Sequence, residues 1–214
     1  MATDAGAMRP DSSQAVDEAV REDQRLARRR YRRHRRIMLL VVLVVSALLG
    51  GAMYRYCFEL VTVRGASMSP TLENGDVVLC VRQSLLDRLG GIVPEQKRRV
   101  TRDDLVLIRY APQPAADGGE VPLMIKRAIA MGGDTIDTGG GEMIVNQSTV
   151  AGHLGESDRV YPITVPTGQM FVVGDARAAS IDSRQRAFGL VPEADVIARP
   201  VAVLWPAFDI GLVK

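Results

Sequence analysis

The sequence predicts a mainly β fold: an antiparallel β-sheet domain preceded by one N-terminal transmembrane helix. Three observations predict it. Residues 37–53 form a charge-free apolar run, IMLLVVLVVSALLGGAM. Eight arginines and no acidic residue occupy positions 25–36, directly before that run. Beyond it, short apolar segments are separated by Asn-Gly, Gly-Gly and Pro-rich turn signals.

Residues 1–24 are polar and of mixed charge, the composition of a disordered tail. Charge is unevenly divided: residues 1–36 hold ten Arg and six Asp or Glu, whereas the remainder holds 17 basic and 19 acidic residues. Such an Arg block suits a solvated tail, a nucleic-acid arm or a membrane-flanking segment, and its apolar neighbour selects the last. As a helix rising 1.5 Å per residue the run spans about 26 Å, slightly less than the ~30 Å hydrocarbon core. Tyr54, Tyr56 and Phe58 follow at once and suit an interfacial aromatic belt, and Arg55 can snorkel to the headgroups. Residues 37–58 therefore read as a membrane helix, 1–36 as a disordered, Arg-rich cytoplasmic tail, and 59–214 as an extracytoplasmic β-rich domain, the orientation following from the positive-inside rule. A cleaved signal peptide fits poorly, because a 36-residue n-region is long and no clear A-x-A site follows the run. A buried core helix would show amphipathic spacing, and a nucleic-acid arm would need an accompanying fold.

In the outer domain, Val77–Val81 is an apolar strand entered from the Asn74-Gly75 turn. Leu105–Tyr110, Val121–Met131, Met170–Val173 and Val196–Trp205 supply further strands, and Gly139-Gly140-Gly141 leads as a hairpin turn into Glu142–Asn146. Gln83–Gly90 carries Leu85, Leu86 and Leu89 at short-helix spacing. Pro, Gly and Ala gather at 111–120 as a surface loop. Cys57 and Cys80 read as two free thiols.

The common catalytic signatures are missing. There is no P-loop, no H-E-x-x-H and no G-x-S-x-G elbow. The two histidines, His34 and His153, and the two cysteines do not form a standard zinc site. If the outer domain is an enzyme, its base is expected to be a residue other than histidine, and lysine is rare: Lys97, Lys126 and Lys214 stand against 24 Arg. In the strand VPLMIKRAIAM, period-2 alternation puts Lys126 on a face with Met124, Ala128 and Ala130. A lysine buried there loses its charge and becomes a general base at neutral pH. Taken alone, a lysine reaching solvent from a strand end fits the same pattern. Ser67 lies in VRGASMSPTL between Gly65 and Pro70, on a sharp turn that exposes its Oγ and its own N–H, the latter suited to an oxyanion.

These segments, in order, resemble the conserved boxes of bacterial type I signal peptidases, the leader peptidase family of Ser–Lys serine proteases. Ser67-Met68-Ser69-Pro70-Thr71-Leu72 is similar to the nucleophile box, Gly75-Asp76-Val77-Val78-Leu79 to a strand box, and Lys126 to Asp134 to the lysine box. Gly174 to Arg184, GDARAASIDSR, is similar to the family's G-D-N-R-x-x-S-x-D-S-R box and is followed by Phe188-Gly189-Leu190-Val191-Pro192. The resemblance spans about Leu60 to Leu204. It implies Ser67 as nucleophile and Lys126 as general base within hydrogen-bonding reach of it. It further implies Ser180 orienting the amine, Asp182 and Arg184 as a structural ion pair, and Asp175 and Arg127 in supporting polar contacts. The oxyanion then rests on the Ser67 N–H and the Gly65 region. Ala176 departs from the family's usual Asn, and Gly65 from the Ser that some members carry.

The activity implied is removal of N-terminal signal peptides from exported preproteins after a small residue, at an A-x-A-like site held as an added strand. The implied partners are preprotein signal peptides and the lipid bilayer, with a secretion translocon nearby and no nucleic acid. Two other readings use the same features: an autoproteolytic repressor-like protein, which the membrane helix disfavours, and an inactive relative serving as a pilus-assembly or secretion scaffold. The reading calls for no metal and no cofactor. Chelators are therefore expected to leave preprotein cleavage unchanged; inhibition by them, reversed on adding metal back, would overturn it.

Overall fold

A computed structural model describes residues 12–109, 121–206 and 210–213. The expectations for residues 1–11, Tyr110 and the 111–120 loop lie outside the described residues. The chain divides into two units, Met1–Ala52 and Met53–Lys214.

Helix α1 spans Ser12–Cys57. This corrects the expectation of disorder for 12–24 and of an irregular tail up to residue 36. The physical reason is local. No Gly or Pro occurs from Ser12 to Leu49, and Ala, Gln, Glu, Leu and Arg, all good helix formers, are frequent. The mixed charges fall at helical spacings that support a helix, such as Asp17–Arg21 and Glu22–Arg25. Within α1, Arg33–Cys57 is long and apolar enough to cross a membrane, by length and composition. The helix ends at Cys57, and Phe58, expected in the membrane segment, opens the first strand.

The second unit contains β1 (Phe58–Thr62), β2 (Val77–Arg82), β3 (Leu105–Arg109), β4 (Leu123–Met131), β5 (Thr135–Gly139) and β6 (Glu142–Val145). It continues with β7 (Ser148–His153), β8 (Ile163–Thr164), β9 (Gln169–Val173), β10 (Val191–Pro192), β11 (Val196–Trp205) and β12 (Gly211–Leu212). Two short helices, α2 (Gln83–Arg88) and α3 (Glu95–Arg98), connect β2 to β3. The larger sheet runs β1-β2-β11-β3-β4-β9-β10, with β12 pairing β11, and the smaller runs β7-β6-β5-β8. The pairings are antiparallel throughout.

Alternation along β3 builds the core. Leu105 and Leu107 join a cluster with Met68, Leu72, Val78, Cys80 and Ile125, whereas Val106 and Ile108 join a second with Met170, Val172, Phe188 and Val191. The next strand but one repeats the device: Phe171 and Val173 of β9 pack with Ile136, Met143 and Val145 of the smaller sheet. In β4, Met124 and Ala128 share the second cluster, but an irregularity between Ala128 and Ala130 carries Met131 into it too, against simple alternation. Both cysteines are free, and burial pushes the Cys80 thiol up to about 12, with the Glu59 charge adding to the effect.

Met68 and Leu72 are 1% and 0% exposed, so the turn bearing Ser67 is anchored by its apolar side chains. Leu72→Ala is expected to cost about 2–5 kcal/mol in denaturant unfolding, whereas Leu60→Ala, at a site 42% exposed, is expected to change stability by about 0.5 kcal/mol or less.

Candidate active site

Lys126 lies on β4 opposite Val106 of β3 and is 4% exposed. Its Nζ donates to Ser180 Oγ at 2.9 Å. Burial pushes the amine below the ordinary lysine range; the Asp182 charge pulls it back up, and the Arg184 charge lowers it again. Ser180 follows a 3-10 turn at Arg177–Ala179 and is buried.

Asp182 and Arg184 are both 0% exposed. Arg184 Nε donates to Asp182 Oδ1 at 2.8 Å and Nη2 to Oδ2 at 2.9 Å. The remaining guanidinium donors reach backbone carbonyls of Leu154 and Arg177, each at 2.7 Å. Burial alone would raise the Asp182 carboxyl, but bonds from Arg184, Ser180 and the Gly174 N–H hold it below the usual carboxylate range. Asp182 therefore faces Arg184, as the resemblance implies.

Ser67 is half-buried, on a turn closed by Leu72 N–H donating to the Met68 carbonyl at 2.9 Å. Its own carbonyl accepts the Ala176 N–H at 3.1 Å. That main-chain bond ties the turn to the 174–184 loop without the Asn side chain that the family usually has there. Among the described residues the Ser67 N–H has no hydrogen-bond partner, and no hydrogen bond joins Ser67 Oγ to Lys126. Gly65, with φ +90°, is different: its N–H donates to Asn74 Oδ1 at 2.9 Å. The Gly65 N–H is thus engaged and is not an open oxyanion donor, which narrows the expectation for that residue. Asn74 was readable in the sequence only as a turn residue.

Gly174 is the residue that sequence reasoning passed over. A Cβ placed on it would lie 2.3 Å from Ser180 Oγ and 2.4 Å from the Ser67 carbonyl oxygen. The Ser67 turn, the Ser180 hydroxyl and the loop backbone converge on a volume that no side chain can share. Its presence in the 174–184 segment was visible; the packing that requires it was not.

A second polar group adjoins the first. Arg127 Nε and Nη2 donate to Asp175 Oδ1 and Oδ2 at 2.8 and 2.7 Å, and Thr71 Oγ1 donates to Asp175 Oδ2 at 2.5 Å. Burial tends to raise the Asp175 carboxyl, but the bonds from Arg127 and Thr71 and the Arg127 and Arg177 charges hold it low. An open cavity of about 680 Å3 has Thr71, Arg127 and Asp175 in its wall. Neither Ser67 nor Lys126 lines it, so the cavity flanks this second polar group. No group of His, Cys, Asp and Glu suited to a metal occurs among the described residues. Gly174→Ala is expected to destabilise the protein by about 1–3 kcal/mol through overpacking, read as a lowered thermal midpoint; an unchanged midpoint would mean the loop has room to move.

The family model described as signal peptidase, peptidase S26, matches residues 34–205. A probable thylakoidal processing peptidase 2 from Arabidopsis thaliana is 31% identical over 149 residues, covering 68% of this chain and 37% of that protein. The signal peptidase I of Bacillus amyloliquefaciens is 28% identical over 183 residues, covering 79% of this chain and 86% of that protein. The chain thus matches well under half the length of the Arabidopsis relative and most of the Bacillus one. A crystal structure of a signal peptidase I from Enterococcus faecalis V583 aligns with 47% of this chain and 96% of its own, at 23% identity and a TM-score of 0.37. With the family model matching 34–205, a span that holds Ser67, Lys126 and the whole 174–184 loop, this chain belongs to the signal peptidase family, peptidase S26.

Proposed function

We propose that the protein is a membrane-anchored serine endopeptidase that removes signal peptides from exported preproteins, with Ser67 as nucleophile and Lys126 as general base. The single observation that carries this reading is the buried Lys126 amine, held by a hydroxyl and depressed below its ordinary pKa. An amine that donates one N–H to Ser180 keeps its lone pair for another proton. Lys126 then takes the proton of Ser67 Oγ as that oxygen attacks the carbonyl of a small residue at the cleavage site. The Ser67 N–H faces the developing oxyanion. The leaving amine recovers the proton, and water hydrolyses the ester with Lys126 again as base.

Apo geometry is consistent with this even without a direct Ser67–Lys126 bond, because catalytic hydrogen bonds tighten when substrate is bound. The relatives carry peptidase names, which supports the substrate class. The apolar helix within Arg33–Cys57 supports an anchor, and the arginines before it support a cytoplasmic N-terminus with residues 59–214 outside. A shared bilayer raises the effective concentration of substrates whose own apolar segment lies in it.

Purified full-length protein is expected to cleave a preprotein with an A-x-A-like site, and Ser67→Ala and Lys126→Ala are each expected to abolish cleavage while keeping the thermal midpoint. Lys126→Arg is expected to be equally inactive, because a guanidinium does not give up its proton. Activity should rise with pH through the depressed amine pKa, since the protonated form cannot accept the Ser67 proton. Substantial turnover by either alanine variant would refute the pair, and a limb abolished by His153→Ala would name a different base.

A further inference from the structure

We propose that Thr71 is a positioning residue whose hydroxyl, bonded to Asp175, sets the turn bearing Ser67 against the strand bearing Lys126. The kinetic consequence rests on the peptidase reading above; the structural consequence does not.

Thr71 lies four positions after Ser67, the same offset that relates Met68 to Leu72, which are joined by the turn's main-chain bond. Met68 and Leu72 are sunk in the core, so they fix how deep the turn sits. Apolar packing is non-directional and does not by itself fix where the turn lies along β4. Directional ties do that, and the 174–176 loop provides two. Ala176 N–H holds the Ser67 carbonyl at the front of the turn, and Asp175 Oδ2 holds Thr71 Oγ1 at the back. The same oxygen accepts Arg127 Nη2, and Arg127 is the neighbour of Lys126 in β4. One carboxylate therefore spans from the base-bearing strand to the nucleophile-bearing turn, through bonds strengthened by its charge. Arg127 also donates through Nη1 to the Asp103 carbonyl at 2.7 Å, which fixes the guanidinium on its other side.

Loss of the Thr71 hydroxyl leaves Asp175 paired through both oxygens with Arg127, so the fold keeps its ion pair. What is lost is the tie from that pair to the turn. Threonine to valine keeps the shape and removes the donor; threonine to serine keeps the donor and removes a methyl group.

Full-length wild type, Thr71→Val and Thr71→Ser would be compared in preprotein cleavage, thermal unfolding and amide hydrogen exchange. Thr71→Val is expected to lower kcat by about 10- to 100-fold, the scale of a misplacement near 1 Å. KM should stay within about 2-fold, and the pH limb assigned to Lys126 should not move. Amides of Ser69 and Leu72 should exchange faster in Thr71→Val, and Thr71→Ser should restore both rate and protection. Wild-type kcat in Thr71→Val, equal losses in the two variants, or a loss accompanied by a lowered thermal midpoint would each overturn the proposal. If the wild type cleaves nothing, the peptidase reading fails, and the exchange comparison alone decides: unchanged protection at Ser69 and Leu72 overturns the tie.

Discussion

Weakening an amine's hold on its proton while a buried carboxylate acts on it is the constraint on which the rest of this site depends. The Asp182 charge raises the affinity of Lys126 for a proton, and burial lowers it. Burial wins because Asp182 is already spent on Arg184, a guanidinium whose donors also reach three backbone carbonyls. A fully buried ion pair of this kind adds little net stability, but removing one partner costs about 3–5 kcal/mol because the other is stranded. Ser180 completes the arrangement, offering the amine a hydrogen bond without a charge. A carboxylate in its place would hold the lysine protonated.

The 174–184 loop organises both polar groups at once. Gly174 gives its N–H to Asp182 and its empty side-chain volume to Ser67 and Ser180. Asp175, one residue on, joins Arg127 and Thr71, and Ala176 binds the Ser67 carbonyl. Three consecutive residues thus touch the Ser67 turn, the strand bearing Lys126 and Arg127, and the buried ion pair. The Leu154 carbonyl, contributed from just beyond β7, closes the guanidinium on a further side.

Much of this was legible in the residues. Strands β2, β3, β9 and β11 announce themselves as apolar runs between turn signals, and Lys126 as one of few lysines, set among methyl groups. The remainder was hidden for identifiable reasons. In β5, Thr135-Ile136-Asp137-Thr138-Gly139 has one apolar residue, because a strand of a small, half-exposed sheet needs little more. Strand β1 lay behind aromatic residues that suit a membrane interface equally well. Residues 12–24 have a disordered composition but a helical spacing, and spacing prevailed. Thr71 and Gly174 stood in recognisable segments, yet what they do is set distances between chain segments far apart in sequence, which composition does not encode. The engagement of the Gly65 N–H by Asn74 is of the same kind.

Strand β4 places Lys126 and Arg127 at adjacent positions, opposite Val106 and Leu105 of an almost uniformly apolar β3. A slip of one position would turn every side chain of β4 to the opposite face of the sheet. Arg127 would then stand where Lys126 stands, and a guanidinium keeps its charge where an amine can lose it. The two-pronged grip of Asp175 on Arg127 belongs to one alignment of the strands and so acts as its latch.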